Sequence, residues 1–164
     1  MIKVKSHIAF GNSIHTTLAD YNQVTNKGFK RLDLLHTLLH KNWISDGYGS
    51  PIEEKEFWNR GLGLLNTYHH NPLDQDVKNL IIESMLYKET DNFILCGKLD
   101  KVYERSDHVI EVLDYKTGSL MTPMGHIQLL LYLILTEANL GVRPQAASLY
   151  YLPENRSKRK FQYT

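Results

Sequence analysis

The hydrophobic period of the sequence changes near residue 77, and this change limits the folds open to the chain. Before it, apolar residues recur at spacings of three and four, as in Ile14, Leu18 and Tyr21, which predicts amphipathic helices. After it, apolar stretches rich in β-branched and aromatic residues are separated by Asp91-Asn92 and Ser106-Asp107, which predicts strands joined by turns. The chain therefore combines a helical first part with a sheet-forming second part.

The helical part, residues 1–72, is expected to hold three helices. Asn12 or Ser13 can cap the first helix. The segment 50–53, Ser-Pro-Ile-Glu, is a capping box with proline at the first helical position, and the third helix should end before Asn71. The second helix carries apolar residues at the same spacing as the first: Leu32, Leu35, Leu39 and Trp43.

The second part, residues 77–164, predicts a sheet core with one buried helix. A three-stranded meander over 79–88, 93–104 and 109–116 should precede a helix that Thr122-Pro123 caps and that runs to about Glu137. That helix is apolar nearly all round, so we expect it to be buried. Two further strands are predicted at 146–152 and 160–163. The fold class is therefore α/β, or α+β, with one mixed sheet, and the whole chain, 1–164, is expected to form a single domain.

Composition excludes several classes of protein. A formal net charge of +1 excludes a globally basic nucleic-acid coat protein. The single cysteine, Cys96, excludes an intrachain disulfide and a Cys-based zinc or iron–sulfur site, and we expect it to be a buried strand residue. The most apolar stretch, 127–135, is far shorter than the ~20 residues of a membrane-spanning helix. Since 1–11 also lacks the apolar centre of a signal peptide, we expect a cytoplasmic (intracellular) protein with no membrane partner.

Three weaker signals have ordinary explanations. The basic run Arg-Ser-Lys-Arg-Lys at 156–160 could contact phosphates, but a solvated terminus is the more common outcome. His36 and His40 have the spacing of a zinc pair, but Thr37 stands where a zincin has glutamate, so a polar helix face is expected. Tyr48 lies in a turn that looks exposed and could stack on a base, although most of the tyrosines are expected in the core.

Two aspartates in the meander carry the strongest chemical signal. Asp is disfavoured inside strands, yet Asp114 stands between Leu113 and Tyr115. Because strand side chains alternate, Asp114 and Lys116 should share one face. If the second and third strands pair through the Ser106-Asp107 turn, Asp100 should lie across from Asp114. The result is two carboxylates and one ammonium group on a single face of the sheet.

Two adjacent carboxylates repel each other unless a cation lies between them. Oxygen ligands suit Mg²⁺ or Mn²⁺, and Lys116 beside such a metal could orient a water or stabilise charge on a phosphate. A cross-strand salt bridge between Lys116 and Asp114 or Asp100 would give the same residue pattern. Spacing alone leaves both interpretations open.

The ordered motifs resemble those of a known family. They are Gly97-x-x-Asp100, Asp114-x-Lys116-Thr117-Gly118, Gln128-x-x-x-Tyr132 and, far upstream, Gly11-Asn12-Ser13-Ile14-His15. Together with the αβββαβ order, they resemble the RecB-like branch of the PD-(D/E)XK nuclease superfamily. This branch includes the nuclease domains of the RecB and AddB helicase-nucleases and the CRISPR-adaptation nucleases. The resemblance implies a restriction-endonuclease-like core with a mixed central sheet.

The resemblance also implies a role for individual residues. His15, Asp100 and Asp114 would be metal ligands, with the backbone carbonyl of Tyr115 completing the protein's share. Lys116 would be the catalytic lysine, acting with Asp100 and Asp114. Gln128 and Tyr132 would lie near the active site and the DNA backbone. Glu83, on the first strand, could match a further acidic position.

A metal-dependent DNA nuclease acting on ends or single strands is therefore the leading hypothesis, with Mg²⁺ or Mn²⁺ as cofactor and no iron–sulfur cluster. Its expected partner is DNA, single-stranded or at duplex ends, and helicase regions or subunits could accompany it. Both a stand-alone member and a piece of a longer protein fit the sequence. Two alternatives are a non-catalytic nucleic-acid-binding or assembly module, and a metal hydrolase with another substrate, which would leave Gln128 and Tyr132 unexplained.

Overall fold

The computed structural model describes residues 5–25, 31–118 and 125–162. The chain divides into two compact units, Met1–Pro72 and Leu73–Thr164. This boundary lies close to the change of hydrophobic period in the sequence. Single-domain organisation stays a prediction.

The first unit contains α1 (Ser6–Thr25), α2 (Leu32–Asn42) and α3 (Pro51–His70). The predicted start of α3 is correct, because the Ser50 hydroxyl accepts a hydrogen bond from the Glu53 N–H. The Glu53 carboxylate, however, accepts from the N–H of Gly49 rather than from that of Ser50. Helix α3 ends before Asn71, as the sequence predicts.

The predicted cap of α1 at Asn12 or Ser13 is wrong, because the helix already begins at Ser6. The Ser13 hydroxyl lies inside the helix and donates to the Ala9 carbonyl oxygen at 2.9 Å. It also accepts from the Ile44 N–H at 3.0 Å, so this serine joins α1 to the segment after α2. A serine can bond to its own helix in this way, and the sequence alone does not distinguish that use from a cap.

The second unit is a five-stranded mixed sheet with α4 (Gly125–Leu140) packed on it. Its strands, in chain order and in sheet order, are β1 (Lys78–Glu89), β2 (Ile94–Glu104), β3 (Ile110–Lys116), β4 (Ala146–Tyr151) and β5 (Arg156–Gln162). In the described part of the sheet, β3 and β4 are the one parallel pair, because α4 lies in the connection between them and returns the chain to the same end of the sheet. The predicted α/β class with a mixed sheet is confirmed.

Two predicted elements differ from the observed ones. Strand β5 begins at Arg156 and not at residue 160, so the basic run 156–160 belongs to a strand paired with β4. Helix α4 extends to Leu140, and its predicted Thr122-Pro123 cap lies outside the described residues. The helix is buried on one side only, since four apolar side chains remain exposed: Ile127, Leu130, Leu131 and Ile134.

Gly97 allows α4 to approach β2 closely. A Cβ atom at residue 97 would lie 3.0 Å from Cδ1 of Leu135 and 3.2 Å from Cε1 of Tyr132. Buried residues of α4, β2, β3 and β4 form the core of this unit around that contact, among them Leu99, Val102 and Val112. The absent side chain of Gly97 thus sets how near the helix lies to the sheet.

Two predictions of burial are wrong. Cys96 is exposed, because it shares a side of β2 with the exposed Ile94 and Lys98 near the end of the β1–β2 hairpin. Tyr48 is only 9% exposed, since its ring stacks on Trp43 at 5.6 Å and also packs against Phe57. Among the described residues, no helix is long and apolar enough to cross a membrane.

Candidate active site

Strand β3 presents Asp114 and Lys116 on the side of the sheet that faces α4. The Nζ atom of Lys116 lies 2.6 Å from Oδ2 of Asp114. Asp114 is buried, whereas Lys116 is half-buried and can therefore reach a bound substrate. The shared face predicted from strand alternation is what the structure shows.

Asp100 lies opposite Asp114 on the neighbouring strand. The antiparallel ladder of β2 and β3 ends with Lys101 opposite Leu113, and Asp100 and Asp114 are the next residues along each strand. Beyond this point a hydrogen bond to a side chain takes the place of main-chain pairing, because Asp100 Oδ2 accepts a hydrogen bond from the Tyr115 N–H at 2.8 Å. The main chain of β3 thus holds the Asp100 carboxylate beside Asp114.

Strand β2 departs from regular alternation at Asp100. Leu99 and Val102 both pack in the core against α4, although residues three apart lie on opposite faces of a regular strand. On β1, Glu83 lies opposite Asp100 by the register of the flanking pairs and has a φ of 39°. A residue other than glycine is uncommon in this left-handed region. The Asp100 carboxylate therefore projects from an irregular part of the sheet.

Helix α4 contributes Gln128 and Tyr132, one helical turn apart, to the same place. Lys116 Nζ donates to Oε1 of Gln128 at 2.8 Å, and Gln128 Nε2 donates to the Tyr132 hydroxyl oxygen at 2.8 Å. Burial raises the pKa of Tyr132 to about 12, and the negative charges of Asp114 and Asp100 add to this rise. The Tyr132 hydroxyl is therefore a neutral group close to both carboxylates.

Comparison with known proteins identifies the family. A family model described as the PD-(D/E)XK nuclease superfamily matches residues 2–163. The chain belongs to the PD-(D/E)XK nuclease superfamily. Members of this superfamily are generally nucleases that depend on divalent metal ions, which agrees with the carboxylates and lysine described above.

Two other comparisons add little. No curated protein matches the chain. Among solved structures, the crystal structure of protein VC1899 from Vibrio cholerae matches with 12% sequence identity and a TM-score of 0.33. The match covers 88% of this chain and 41% of that one, so this PD-(D/E)XK chain spans less than half of VC1899.

The donor chemistry of the site fits a hard divalent cation. Asp100 and Asp114 supply carboxylate oxygens from adjacent strands, and such oxygens suit Mg²⁺ or Mn²⁺. Within the described part of the chain, no group of three or more His, Cys, Asp or Glu side chains could hold a metal ion. That Asp100 and Asp114 are the acidic metal ligands of this PD-(D/E)XK site stays a prediction, in which main-chain oxygen, water or substrate would supply the remaining donors.

The other residues that the resemblance assigns to the site lie on three different elements. Tyr115 lies between Asp114 and Lys116 on β3, so its carbonyl belongs to the site's own strand, and its role as a ligand stays a prediction. His15 is a half-buried residue of α1 in the first unit, and its role also stays a prediction. Glu83 forms an ion pair with Lys98 at 2.5 Å.

Sequence reasoning missed a buried polar cluster next to the site. Lys101, adjacent to Asp100 in the chain, is 1% exposed, and its Nζ lies 2.8 Å from Oδ2 of Asp74. Asp74 also accepts a hydrogen bond from the Tyr115 hydroxyl. The sequence did contain one signal for this cluster, which is the position of Lys101 in the middle of a strand. A lysine in a central strand is buried and therefore requires a buried partner.

Proposed function

We propose that the chain is a Mg²⁺- or Mn²⁺-dependent deoxyribonuclease of the RecB-like kind that hydrolyses phosphodiester bonds at ends or in single strands. The observation that carries the proposal is the linked set Asp114, Lys116, Gln128 and Tyr132 beside Asp100. A salt bridge alone would not need the second carboxylate or the glutamine that connects Lys116 to the helix. The resemblance to RecB-like nucleases supports a proposed role in DNA repair or recombination.

The proposed reaction places water at phosphorus and releases the 3′ oxygen. A new P–O bond forms to the water oxygen as the bond to the 3′ oxygen breaks, which leaves a 5′-phosphate and a 3′-hydroxyl. A divalent ion held by Asp100 and Asp114, with the Tyr115 carbonyl as a further proposed ligand, would lower the pKa of the attacking water and neutralise developing charge.

The protein's own groups have separate tasks in this proposal. Lys116 provides a fixed positive charge for the phosphate oxygens, because Asp114 and Gln128 hold its ammonium group from two sides. The Tyr115 N–H fixes the Asp100 carboxylate at 2.8 Å and so limits its rotation. Gln128 and Tyr132 would orient Lys116 and contact the DNA backbone.

A substrate panel tests this proposal. The purified chain is incubated with end-labelled DNA, single- or double-stranded and linear or circular, with Mg²⁺, Mn²⁺ or EDTA. We expect metal-dependent cleavage of linear or single-stranded DNA, no cleavage with EDTA, and products with 5′-phosphate ends. DNA binding without cleavage under all metal conditions would contradict the proposal and favour the non-catalytic module.

RNA of the same sequence serves as a matched substrate. Equal cleavage of RNA and DNA would contradict the assignment as a deoxyribonuclease while leaving metal-dependent hydrolysis in place. Cleavage of neither polymer, together with metal-dependent hydrolysis of a simple phosphodiester, would point to a different substrate class.

A further inference from the structure

Tyr115 is the residue through which Asp100 is tied to the opposite side of the sheet. Its N–H donates to the Asp100 carboxylate, and its hydroxyl donates to Asp74. Tyr115 is 2% exposed, and its phenol group lies on the side of β3 away from Asp114 and Lys116. There the centroids of the Tyr115 and Tyr150 rings are 5.8 Å apart. The main chain and the side chain of this one residue therefore connect the candidate site to a buried cluster behind it.

The cluster closes into a ring of contacts. Lys101 Nζ donates to Oδ2 of Asp74 at 2.8 Å and to the Asp74 carbonyl oxygen at 2.8 Å. Lys101 is covalently bonded to Asp100, whose carboxylate accepts from Tyr115. The path from Asp100 through Lys101, Asp74 and Tyr115 thus returns to Asp100.

This ring lies where the β2–β3 ladder ends. The register pairs stop at Lys101 and Leu113, so main-chain hydrogen bonds of the ladder do not fix the spacing of Asp100 and Asp114. Buried polar groups that pair with one another resist displacement, because displacement leaves a charge or a hydroxyl without its partner. The ring can therefore hold the two strands at one separation.

We propose that Tyr115, acting through Asp74 and Lys101, is a positioning residue that sets the distance between the Asp100 and Asp114 carboxylates and hence the affinity for a divalent cation. The catalytic consequence rests on the proposed function, but the effect of Tyr115 on the Asp100 contact and on Mn²⁺ affinity can be measured without DNA. Partners that orient metal ligands commonly change metal affinity or activity by about 10- to 100-fold when removed.

Tyr115→Phe tests the proposal, with Tyr21→Phe as the control. Both changes remove one buried, hydrogen-bonded tyrosine hydroxyl and leave the Asp74–Lys101 ion pair intact. The Tyr21 hydroxyl lies 3.2 Å from His69 Nδ1 in the first unit and is not part of the ring of contacts. Equal thermal unfolding midpoints of the two variants would establish that any further difference between them is not a loss of fold.

Two readouts are taken without DNA and one with it. Hydrogen exchange of the residue-115 amide, measured by NMR without metal, reports the bond to Asp100, and calorimetry reports the Kd for Mn²⁺. The dependence of cleavage rate on Mn²⁺ separates the KM for metal from kcat. In Tyr115→Phe we expect faster exchange at residue 115, a Kd for Mn²⁺ raised about tenfold or more and a matching rise in KM. Tyr21→Phe should match the wild type.

The outcomes separate this inference from the proposed function. Equal amide exchange or equal Mn²⁺ affinity in the two variants would overturn the positioning role, even if the wild type cleaves DNA. A wild type that binds Mn²⁺ but cleaves no nucleic acid would overturn the proposed function, while the calorimetry and exchange results would still decide the role of Tyr115. A wild type that binds no Mn²⁺ would overturn both.

Discussion

Lys116 joins two elements that are separate in the sequence. Its ammonium group contacts Asp114 of its own strand and Gln128 of α4. Taking a carboxylate and an ammonium group out of water costs about as much free energy as their attraction returns, so stability alone gives little reason for such a buried ion pair. A lysine held from two sides and half-buried beside two carboxylates has instead the fixed position that a catalytic charge requires.

At the same scale, Asp114→Asn should abolish tight binding of Mn²⁺. The change keeps the size of the side chain and removes a negatively charged oxygen donor, so we expect the affinity measured by calorimetry to fall more than about tenfold. Asp107→Asn, at an exposed residue paired with Arg105, is the control. Equal Mn²⁺ affinity in wild type and Asp114→Asn would show that Asp114 is not a ligand.

Alternation along β3 was enough to predict that Asp114 and Lys116 share a face, because that strand is regular. The hydrogen bond from Tyr115 to Asp100 was not predictable in the same way. It depends on the end of the β2–β3 ladder and on the irregular part of β2, and both arise from tertiary pairing rather than from local sequence.

At the scale of elements, the distance between α4 and β2 decides whether Gln128 reaches Lys116. Gly97 sets this distance, because any side chain there would meet Leu135 and Tyr132. The apolar sequence of α4 predicted that the helix packs on the sheet, but not which side stays exposed. A helix that is apolar nearly all round has no polar side to mark the one that faces solvent. Likewise, the sequence correctly predicted the cap at Ser50, whereas the cap predicted at Ser13 was wrong because that hydroxyl bonds to a carbonyl oxygen inside its own helix.

Gly97→Ala should therefore weaken both the fold and the site. We expect the free energy of unfolding in urea to fall by about 1–3 kcal/mol, as for other overpacked cores, and cleavage to slow as Tyr132 and Gln128 shift. Gly63→Ala is the matched control, because residue 63 lies in α3 with no atom within 4 Å of an added Cβ. That change should be neutral or stabilising by up to about 1 kcal/mol. An unchanged Gly97→Ala protein would contradict the close-approach argument.

At the scale of the whole molecule, buried tyrosines make the fold sensitive to alkaline pH. Burial raises the pKa of Tyr132 and of Tyr48 to about 12, and among the described residues it also raises the pKa of Tyr21, Tyr103 and Tyr150. In the folded state these phenols hold their protons more tightly than in the unfolded chain. Their contribution to stability is complete below the ordinary pKa of 10.0 and is lost as pH rises above it.

Stability should thus fall steadily above about pH 10, measured by urea unfolding from about pH 8 to about pH 11. Tyr132→Phe should make this decline shallower, because it removes one group that ionises more readily in the unfolded chain. Tyr87→Phe, at an exposed tyrosine, should leave the slope of the wild type unchanged. A stability that rises or stays level over this range would contradict the assigned direction of the shifts.

The order of elements and the mixed sheet followed from periodicity, turns and caps, which are local properties of the sequence. The site could be predicted as far as its motifs lie on regular elements, as Asp114, Lys116 and the Gln128–Tyr132 pair do. The buried Asp74–Lys101 pair could not, because its two residues are 27 positions apart and meet only through folding.

Cleavage by Lys116→Met tests the central claim most directly. Methionine keeps much of the side-chain volume and removes the charge, and Lys78→Met, at an exposed lysine paired with Glu104, is the control. With Mn²⁺ and labelled linear DNA, we predict that Lys116→Met cleaves at least about a hundredfold more slowly than wild type and Lys78→Met. Its affinity for DNA should fall only by the small amount that one lost phosphate contact accounts for. Undiminished cleavage by Lys116→Met, or absence of cleavage in every protein together with a large loss of DNA binding in this variant, would contradict a catalytic role.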